Sequence, residues 1–210
     1  MSDRRTSRPD FWDERFRAEA ALFGRAPNPF VMEALSELPE GSTVVELGAG
    51  DARTLCGLAE EYGHRGTAVD FAPAALDRAR SRAASSGVEV ETIEADLRTW
   101  TPQRQWDAVV VTFVQLLPAE RPAFYETMRS AVRPGGWLVG QWFRPAHLTA
   151  GFDRIGPSRA DRMVPVPELR RAFAGDHIVR CQGTTVQLAE GRLLHGRAAV
   201  ARLVARRRTG

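Results

Sequence analysis

This 210-residue sequence has no lysine and only two cysteines. Cys56 and Cys181 are too few for a disulfide framework and show no metal-ligand spacing. No run of about 18 apolar residues occurs, and the basic start of the chain is not followed by the apolar segment of a signal peptide. We therefore expect a cytoplasmic protein with no bound metal and no membrane association.

The charge of the chain comes from 29 arginines against 26 acidic residues, which leaves a net charge of +3. The two signs alternate along the sequence, whereas a nucleic-acid-binding face needs its basic residues segregated. The densest basic clusters, at Arg4, Arg5 and Arg8 and at residues 206–208, lie near the ends of the sequence, where solvated tails are expected. The length fits one domain, and the composition argues against nucleic acid as a partner.

Apolar periodicity predicts two helices, over residues 9–23 and 28–38, and then an alternation of strands and helices. The predicted strands cover residues 43–48, 66–71, 88–96, 106–113 and 137–143, and the helices between them cover 52–63, 73–87 and 118–136. Such alternation is typical of an α/β fold with a doubly wound parallel sheet. After a loop over 144–164 and a helix over 167–175, residues 177–190 and 193–207 predict an antiparallel hairpin.

Glycines and acidic residues mark the carboxyl ends of the first three predicted strands. The first strand ends in Glu46-Leu-Gly48-Ala-Gly50, where the backbone can approach a ligand closely. Asp70 ends the second strand, twenty residues after Gly50, and can accept hydrogen bonds from both hydroxyls of an adenosine ribose. Asp96 ends the third strand. This edge of the sheet therefore predicts a site for an adenosine-containing cofactor.

The charges beside the glycine turn discriminate between two such cofactors. A dinucleotide fingerprint requires a third glycine where Arg53 stands and places a pyrophosphate beside the turn. Glu46 and Asp51 would repel a pyrophosphate but attract the ammonium and sulfonium groups of S-adenosylmethionine. The charge pattern therefore favours S-adenosylmethionine.

These residues, with the strand at 106–113 and the VRPGGWLVG turn, resemble the class I S-adenosylmethionine-dependent methyltransferases from about residue 42 to 206. The resemblance implies a Rossmann-like seven-stranded sheet in the order 3-2-1-4-5-7-6, with strand 7 antiparallel, as one methyltransferase domain over residues 41–210. The residues expected at the cofactor are Glu46, Gly48, Ala49, Gly50, Asp70, Phe71, Asp96, Leu97, Thr112 and Phe113. Asp51 and Arg53 depart from the family, in which small residues are common there.

The segment FWDERFRAEAALFGRAPNPF resembles the lead-in of the tellurite-resistance and thiopurine-type small-molecule methyltransferases. In these relatives the segment folds over the cofactor, which implies a helical lid over residues 1–40 with Trp12 and Phe23 near the cofactor. An amphipathic helix that merely covers the sheet is the alternative.

The acceptor is expected beyond the carboxyl ends of the parallel strands. A base is needed only for a protonated acceptor, and His195 and His147 are the candidate catalytic bases, with Asp153 as a third. Arg144, Arg154 and Arg197 are candidate anchors for an anionic substrate.

Three functions stay open on the sequence. The favoured one is methyl transfer to a small molecule by in-line displacement, carried out by a monomer or homodimer. An RNA methyltransferase and a catalytically silent cofactor-binding partner protein are the alternatives. The strand at 106–113 ends in VTFVQL and lacks the Asn/Asp-Pro-Pro-aromatic turn of base-amino methyltransferases, which argues against the RNA methyltransferase.

Overall fold

The structure is a computed structural model that describes residues 7–19, 21–152 and 155–209. The helices are α1 (Pro9–Ala18), α2 (Pro29–Leu35), α3 (Arg53–Tyr62), α4 (Pro73–Ser86), α5 (Arg121–Ala131), α6 (Ala146–Thr149) and α7 (Val166–Ala172). The strands are β1 (Thr43–Leu47), β2 (Arg65–Asp70), β3 (Val90–Glu94), β4 (Trp106–Thr112), β5 (Val132–Phe143), β6 (His177–Glu190) and β7 (Leu194–Arg206). A turn of 3-10 helix covers Ala160–Arg162.

The strands form one sheet in the order β3-β2-β1-β4-β5-β7-β6. The first five pair in parallel, and β7 runs antiparallel to both β5 and β6. This order and this orientation confirm the predicted α/β fold. Because β6 ends and β7 begins at the carboxyl edge of the parallel strands, the tip of their hairpin lies at the edge where the cofactor loops emerge.

Both faces of the sheet are covered, which explains why its central strand is apolar at successive positions. Val109 and Val111 of β4 pack into the core on one face, with Phe124 and Met128 of α5. Ala108 and Val110 of β4 pack on the other face with residues of α2, α3 and α4. The sheet is thus a rigid platform on which the loops at one edge are held.

Several element boundaries differ from the prediction, and two of these differences have a clear physical reason. Helix α1 ends at Ala18, because Glu19 adopts an extended conformation and the chain turns to bring Leu22 and Phe23 against Phe16. Strand β5 begins at Val132, before the Pro-Gly-Gly turn that was expected to precede it. Pro134 has no N–H for the ladder, and the register between β4 and β5 accordingly shifts across this turn.

The basic cluster at residues 206–208 is not the solvated tail expected from the sequence. The Arg206 side chain lies over the Trp137 ring, 5.0 Å from its centroid, and its Nε donates to the Gly135 carbonyl. The guanidinium of Arg207 donates to the carbonyl of Val132. Arg4 and Arg5 of the other cluster lie outside the described residues.

Among residues 7–19, 21–152 and 155–209, no helix combines the length and apolarity needed to cross a membrane. In the same ranges, no group of three or more His, Cys, Asp or Glu side chains is arranged to hold a metal ion.

Candidate active site

A cavity opens at the carboxyl ends of β1, β2 and β4, where the sequence predicted a cofactor site. Its walls include all twelve residues predicted to contact the cofactor: Trp12, Phe23, Glu46, Gly48, Ala49, Gly50, Asp70, Phe71, Asp96, Leu97, Thr112 and Phe113. The structure therefore brings the whole predicted set together around one space, which we call the main cavity.

The turn after β1 keeps the backbone exposed to the main cavity. Gly48 and Gly50 have φ values of +74° and +56°, a region that favours glycine. A side chain at Gly48 would also come within 2.6 Å of Cγ2 of Val114, and one at Gly50 within 3.1 Å of Cζ of Phe16. Both positions therefore require glycine for conformation and for space.

Asp70 closes the turn from the neighbouring strand. Its Oδ2 accepts a hydrogen bond of 2.8 Å from the Gly50 N–H, and its Oδ1 accepts one of 3.0 Å from the Ala72 N–H. The side chain is buried, and burial raises its pKa while the backbone donors oppose that shift. Each carboxylate oxygen has a second lone-pair site, so Asp70 can still accept from a diol.

Glu46 is the second buried carboxylate of the main cavity. Its Oε1 accepts a hydrogen bond of 3.1 Å from the Thr112 hydroxyl. Its Oε2 is buried and has no hydrogen-bond partner. Burial raises the pKa of Glu46 to about 8. A buried acceptor without a donor destabilises the protein, so this oxygen is poised for a cationic or N–H-bearing ligand.

The other two acidic residues of the site face arginines that the sequence analysis did not pair with them. Asp51 forms a buried ion pair with Arg82 of α4. Asp96 accepts from Arg98 at 2.8 Å, and this arginine holds the pKa of Asp96 below its usual value. Because Asp51 is already paired, Glu46 is the carboxyl group beside the turn that remains to ionise next to a cationic ligand, a correction to the reasoning that gave Asp51 an equal part.

The N-terminal segment, residues 7–40, closes the opposite side of the main cavity. Trp12, Phe16 and Phe23 line it, with the Phe23 ring centroid 5.9 Å from that of Trp12 and 6.0 Å from that of Phe16. Helix α4 holds the segment in place, since Asp13 accepts 2.7 Å from the Ala74 N–H. The position of Phe16 at Gly50 was missed by sequence reasoning.

A buried polar network joins the N-terminal segment to the cofactor turn and the hairpin tip. The Arg53 guanidinium forms an ion pair with Glu190 at the end of β6, and both side chains are under 10% exposed. The amide of Asn28 donates to the two Glu190 carboxylate oxygens at 3.1 and 3.3 Å. Asn28 also caps α2 by accepting from the N–H of Phe30. Arg53, where the sequence departs from the family it resembles, therefore connects the start of α3 to the end of β6.

The hairpin tip touches the N-terminal segment through backbone as well. Gly24 and Gly191 both have positive φ, and a side-chain carbon at Gly191 would come within 2.2 Å of the Gly24 nitrogen. Beside them, Arg192 forms an exposed ion pair of 2.7 Å with Glu19. Two segments far apart in sequence thus meet above the main cavity with no side chain between their backbones.

Neither histidine predicted as a base lines the main cavity. His195 is exposed and pairs with Ala189 in the β6–β7 ladder, while its neighbour Leu194 is the residue that reaches the cavity. His147 is buried, with Nε2 3.0 Å from the Ile155 carbonyl and Nδ1 3.3 Å from the Ala199 nitrogen. Both ring nitrogens of His147 are thus engaged by the backbone. The geometry supports neither residue as a base.

The predicted anion anchors also lie away from the site. Arg144 packs against Gly183 of β6, and Arg197 lies 4.8 Å from the Phe152 ring centroid. Asp153 and Arg154 lie outside the described residues.

Part of the chain is similar in sequence to known methyltransferases. A family described as "Methyltransferase domain" matches residues 44–136, which contain the glycine turn, Asp70 and Asp96. Residues 44–136 therefore resemble a methyltransferase domain, in line with the class I S-adenosylmethionine-dependent methyltransferases that the sequence motifs resemble. The chain is 34% identical over 143 residues to trans-aconitate 2-methyltransferase of Azoarcus sp. (strain BH72), across 65% of this chain and 51% of that protein. The chain therefore spans about half the length of this curated relative.

Solved structures share the methyltransferase fold at low sequence identity. TehB from Haemophilus influenzae has a TM-score of 0.72 at 16% identity, over 95% of this chain and 67% of that chain. The 1,6-didemethyltoxoflavin-N1-methyltransferase from Burkholderia thailandensis, solved with 1,6-didemethyltoxoflavin and S-adenosylhomocysteine, has a TM-score of 0.62 at 19% identity, over 87% and 78% of the two chains. At such identities the likeness shows the fold alone.

The chemistry of the main cavity fits the cofactor of this methyltransferase class. The unpartnered Oε2 of Glu46 and the remaining acceptor sites of Asp70 suit a ligand that carries N–H, hydroxyl and positively charged groups. Gly48 and Gly50 leave the backbone open for close approach. These residues would hold S-adenosylmethionine, which supplies a methyl group activated by its bond to a positively charged sulfur.

Proposed function

We propose that the protein transfers the methyl group of S-adenosylmethionine to a small-molecule acceptor by in-line displacement. The observation that carries the proposal is the pair of buried carboxylates, Glu46 and Asp70, on a cavity whose backbone is opened by two positive-φ glycines. Asp70 would accept from the ribose hydroxyls, and Glu46 would face the positively charged end of the donor. The donor would thus be bound by residues at the carboxyl ends of both β1 and β2.

The residues of the chain would act by orientation and by exclusion of water. Aromatic side chains of the N-terminal segment cover the main cavity, so an acceptor would meet the methyl group in a largely dry space. Alignment of the reacting atoms and removal of water supply much of the acceleration for such a transfer. Among the described residues, no histidine lines the main cavity, which favours an acceptor such as a thiolate that needs no deprotonation by the protein.

Two measurements test the proposal. Calorimetry should detect binding of S-adenosylmethionine and of S-adenosylhomocysteine, with weaker binding to Asp70→Ala and unchanged binding to Asp77→Ala, an exposed aspartate of α4. A release assay for S-adenosylhomocysteine should then show turnover with some members of a panel of thiols, phenols, amines and chalcogen oxyanions. Absence of cofactor binding would overturn the proposal, whereas binding without turnover on any small molecule would favour the catalytically silent protein.

A further inference from the structure

A second cavity adjoins the main cavity, on the side of the N-terminal segment. The two spaces share four lining residues: Trp12, Phe23, Gln115 and Leu194. The second cavity extends from these residues to the loop at 155–162 and to the outer face of α1. A molecule bound there would reach the main cavity between the side chains that both spaces share.

Three arginines set the charge of the second cavity. Arg15 comes from α1, and Arg159 and Arg162 come from the loop before α7. Asp161, which is outside the lining, forms an ion pair with Arg159 and offsets one of the three charges. The lining contributed by the described residues includes no aspartate and no glutamate. The second cavity is therefore positive, whereas the main cavity carries the carboxylates of Glu46 and Asp70.

The arginines are held in fixed positions by the protein. The Arg162 side chain is buried, and its Nη1 donates to the Ser7 hydroxyl at 2.7 Å and to the Gln115 carbonyl at 3.0 Å. The Arg15 guanidinium lies 4.4 Å from the centroid of the Phe11 ring. Guanidinium groups that are already oriented lose little conformational freedom when they bind a carboxylate.

Apolar surface accompanies the charge. Phe11, Trp12 and Phe23 line the second cavity, together with Ile155, Pro157 and Leu193. An inorganic oxyanion would use the arginines but leave this surface exposed to water. An organic anion with a flat apolar body would use both, since aromatic and aliphatic walls favour such a body.

From this juxtaposition we propose that the second cavity is the acceptor site and that the acceptor is a small organic anion, held through its anionic group by Arg15, Arg159 and Arg162. The inference rests on the proposed function and names the substrate class for that reaction. The opposite charges of the two cavities would orient the reactants, with the positively charged donor on the Glu46 side and the anion on the arginine side. The anionic group anchors the acceptor and need not be the atom that is methylated.

The test compares benzoate with benzamide, which have nearly the same shape and differ in charge. Each is titrated by ligand-observed NMR into the protein saturated with S-adenosylhomocysteine, whose own binding is measured first. We expect benzoate to bind at least tenfold more tightly than benzamide, because charge-assisted hydrogen bonds to a carboxylate are about twice as strong as those between neutral groups. Arg15→Gln and Arg159→Gln should each remove most of this preference, and Arg80→Gln, an exposed arginine of α4, should leave it unchanged.

The outcomes separate the two proposals. Failure of S-adenosylhomocysteine to bind would overturn the proposed function before any acceptor is tested. Normal cofactor binding with equal affinity for benzoate and benzamide, or with a benzoate preference that survives both arginine substitutions, would overturn the anionic acceptor alone. Binding of selenite without binding of benzoate would also overturn it, since an inorganic oxyanion would then be the ligand. Thermal melts of each variant identify those that fail to fold, and Arg159→Gln, at an exposed position before α7, is the substitution least expected to do so.

Discussion

The two sides of the main cavity are built in different ways. The cofactor side consists of residues that directly follow β1, β2, β3 and β4, so each side chain is placed by the end of its own strand. The N-terminal side consists of Trp12, Phe16, Phe23 and Leu194, which are brought together only by contacts between distant parts of the chain. Local motifs thus fix the side of the cavity on which we propose that the donor binds, while long-range packing shapes the side proposed for the acceptor.

The largest effect on this comparison is expected from removal of the Glu190 side chain, which links the turn after β1 to the N-terminal segment. Glu190→Ala leaves the buried Arg53 charge and the Asn28 amide without their acceptor. Loss of one partner of a buried ion pair costs about 3–5 kcal/mol, so the free energy of unfolding should fall by that amount in a denaturant titration. A loss below about 1 kcal/mol would show that the N-terminal side does not depend on this network. Glu126→Ala, an exposed glutamate on α5, is the matched control.

The second prediction addresses the cofactor side through Asp70. Asp70→Ala should weaken S-adenosylhomocysteine binding by about 1.5–3 kcal/mol, the usual value of hydrogen bonds to a charged acceptor. Calorimetry gives the affinity directly, and a melting curve shows whether the turn at Gly50 stays folded. Unchanged affinity in a folded variant would remove Asp70 from the binding site. A nicotinamide cofactor bound in place of S-adenosylmethionine would contradict the family assignment.

The third prediction concerns the pH dependence that Glu46 imposes on the ligand-free protein. Because burial raises its pKa to about 8, the folded state holds a proton that the unfolded state has released between about pH 4.5 and 8. The contribution of Glu46 to stability should therefore fall as the pH rises through that window. Glu46→Gln should flatten this decline, and each kcal/mol recovered at pH 9 corresponds to a rise of about 2–4 °C in Tm.

The same group links cofactor binding to protons. A cationic ligand favours the ionised carboxylate, so binding of S-adenosylmethionine at pH 7 should release a proton, measured as a dependence of the calorimetric heat on the buffer. Glu46→Gln should abolish this release. Equal proton release by the wild type and the variant would assign the linkage to another group, with Asp70, whose pKa is also raised by burial, as the first candidate.

The smallest effect is expected at His195. Its side chain is exposed and lies outside the main cavity, and surface substitutions of this kind usually change stability by less than about 0.5 kcal/mol. His195→Ala should therefore leave kcat, cofactor affinity and Tm nearly unchanged. A loss of about 10²–10⁴-fold in kcat with unaltered melting would instead establish the histidine as a general base.

Prediction from the sequence succeeded where one strand and its following turn carry the information. The glycine turn and ten of the residues around the main cavity come from such segments at the ends of β1 to β4, whereas the strand order, Trp12 and Phe23 were predicted from the family resemblance. The ion pair between Arg53 and Glu190 could not be predicted, because it depends on where the last hairpin lies relative to the first turn. The wrong emphasis on Asp51 has the same origin, since its partner Arg82 lies on the next helix and no local pattern links the two.

The histidines show a different limit of sequence reasoning. His195 was correctly placed at the carboxyl edge of the sheet, but the direction of its side chain depends on the register of β7, in which Leu194 faces inward and His195 outward. A shift by one residue would exchange the two faces. Position along a strand was therefore predictable, and orientation was not.

The contact between the N-terminal segment and the hairpin tip also has a consequence for the order of folding. Asn28 and Glu190 are 162 positions apart, so the segment that covers the cavity is synthesised well before the residue that anchors it. Contacts of such large sequence separation form late, because the chain must first bring its distant parts together. A nascent chain that still lacks β6 and β7 would therefore contain the glycine turn and Asp70. The N-terminal segment above them would still lack its contact with Glu190. Completion of the hairpin is the event that closes the site.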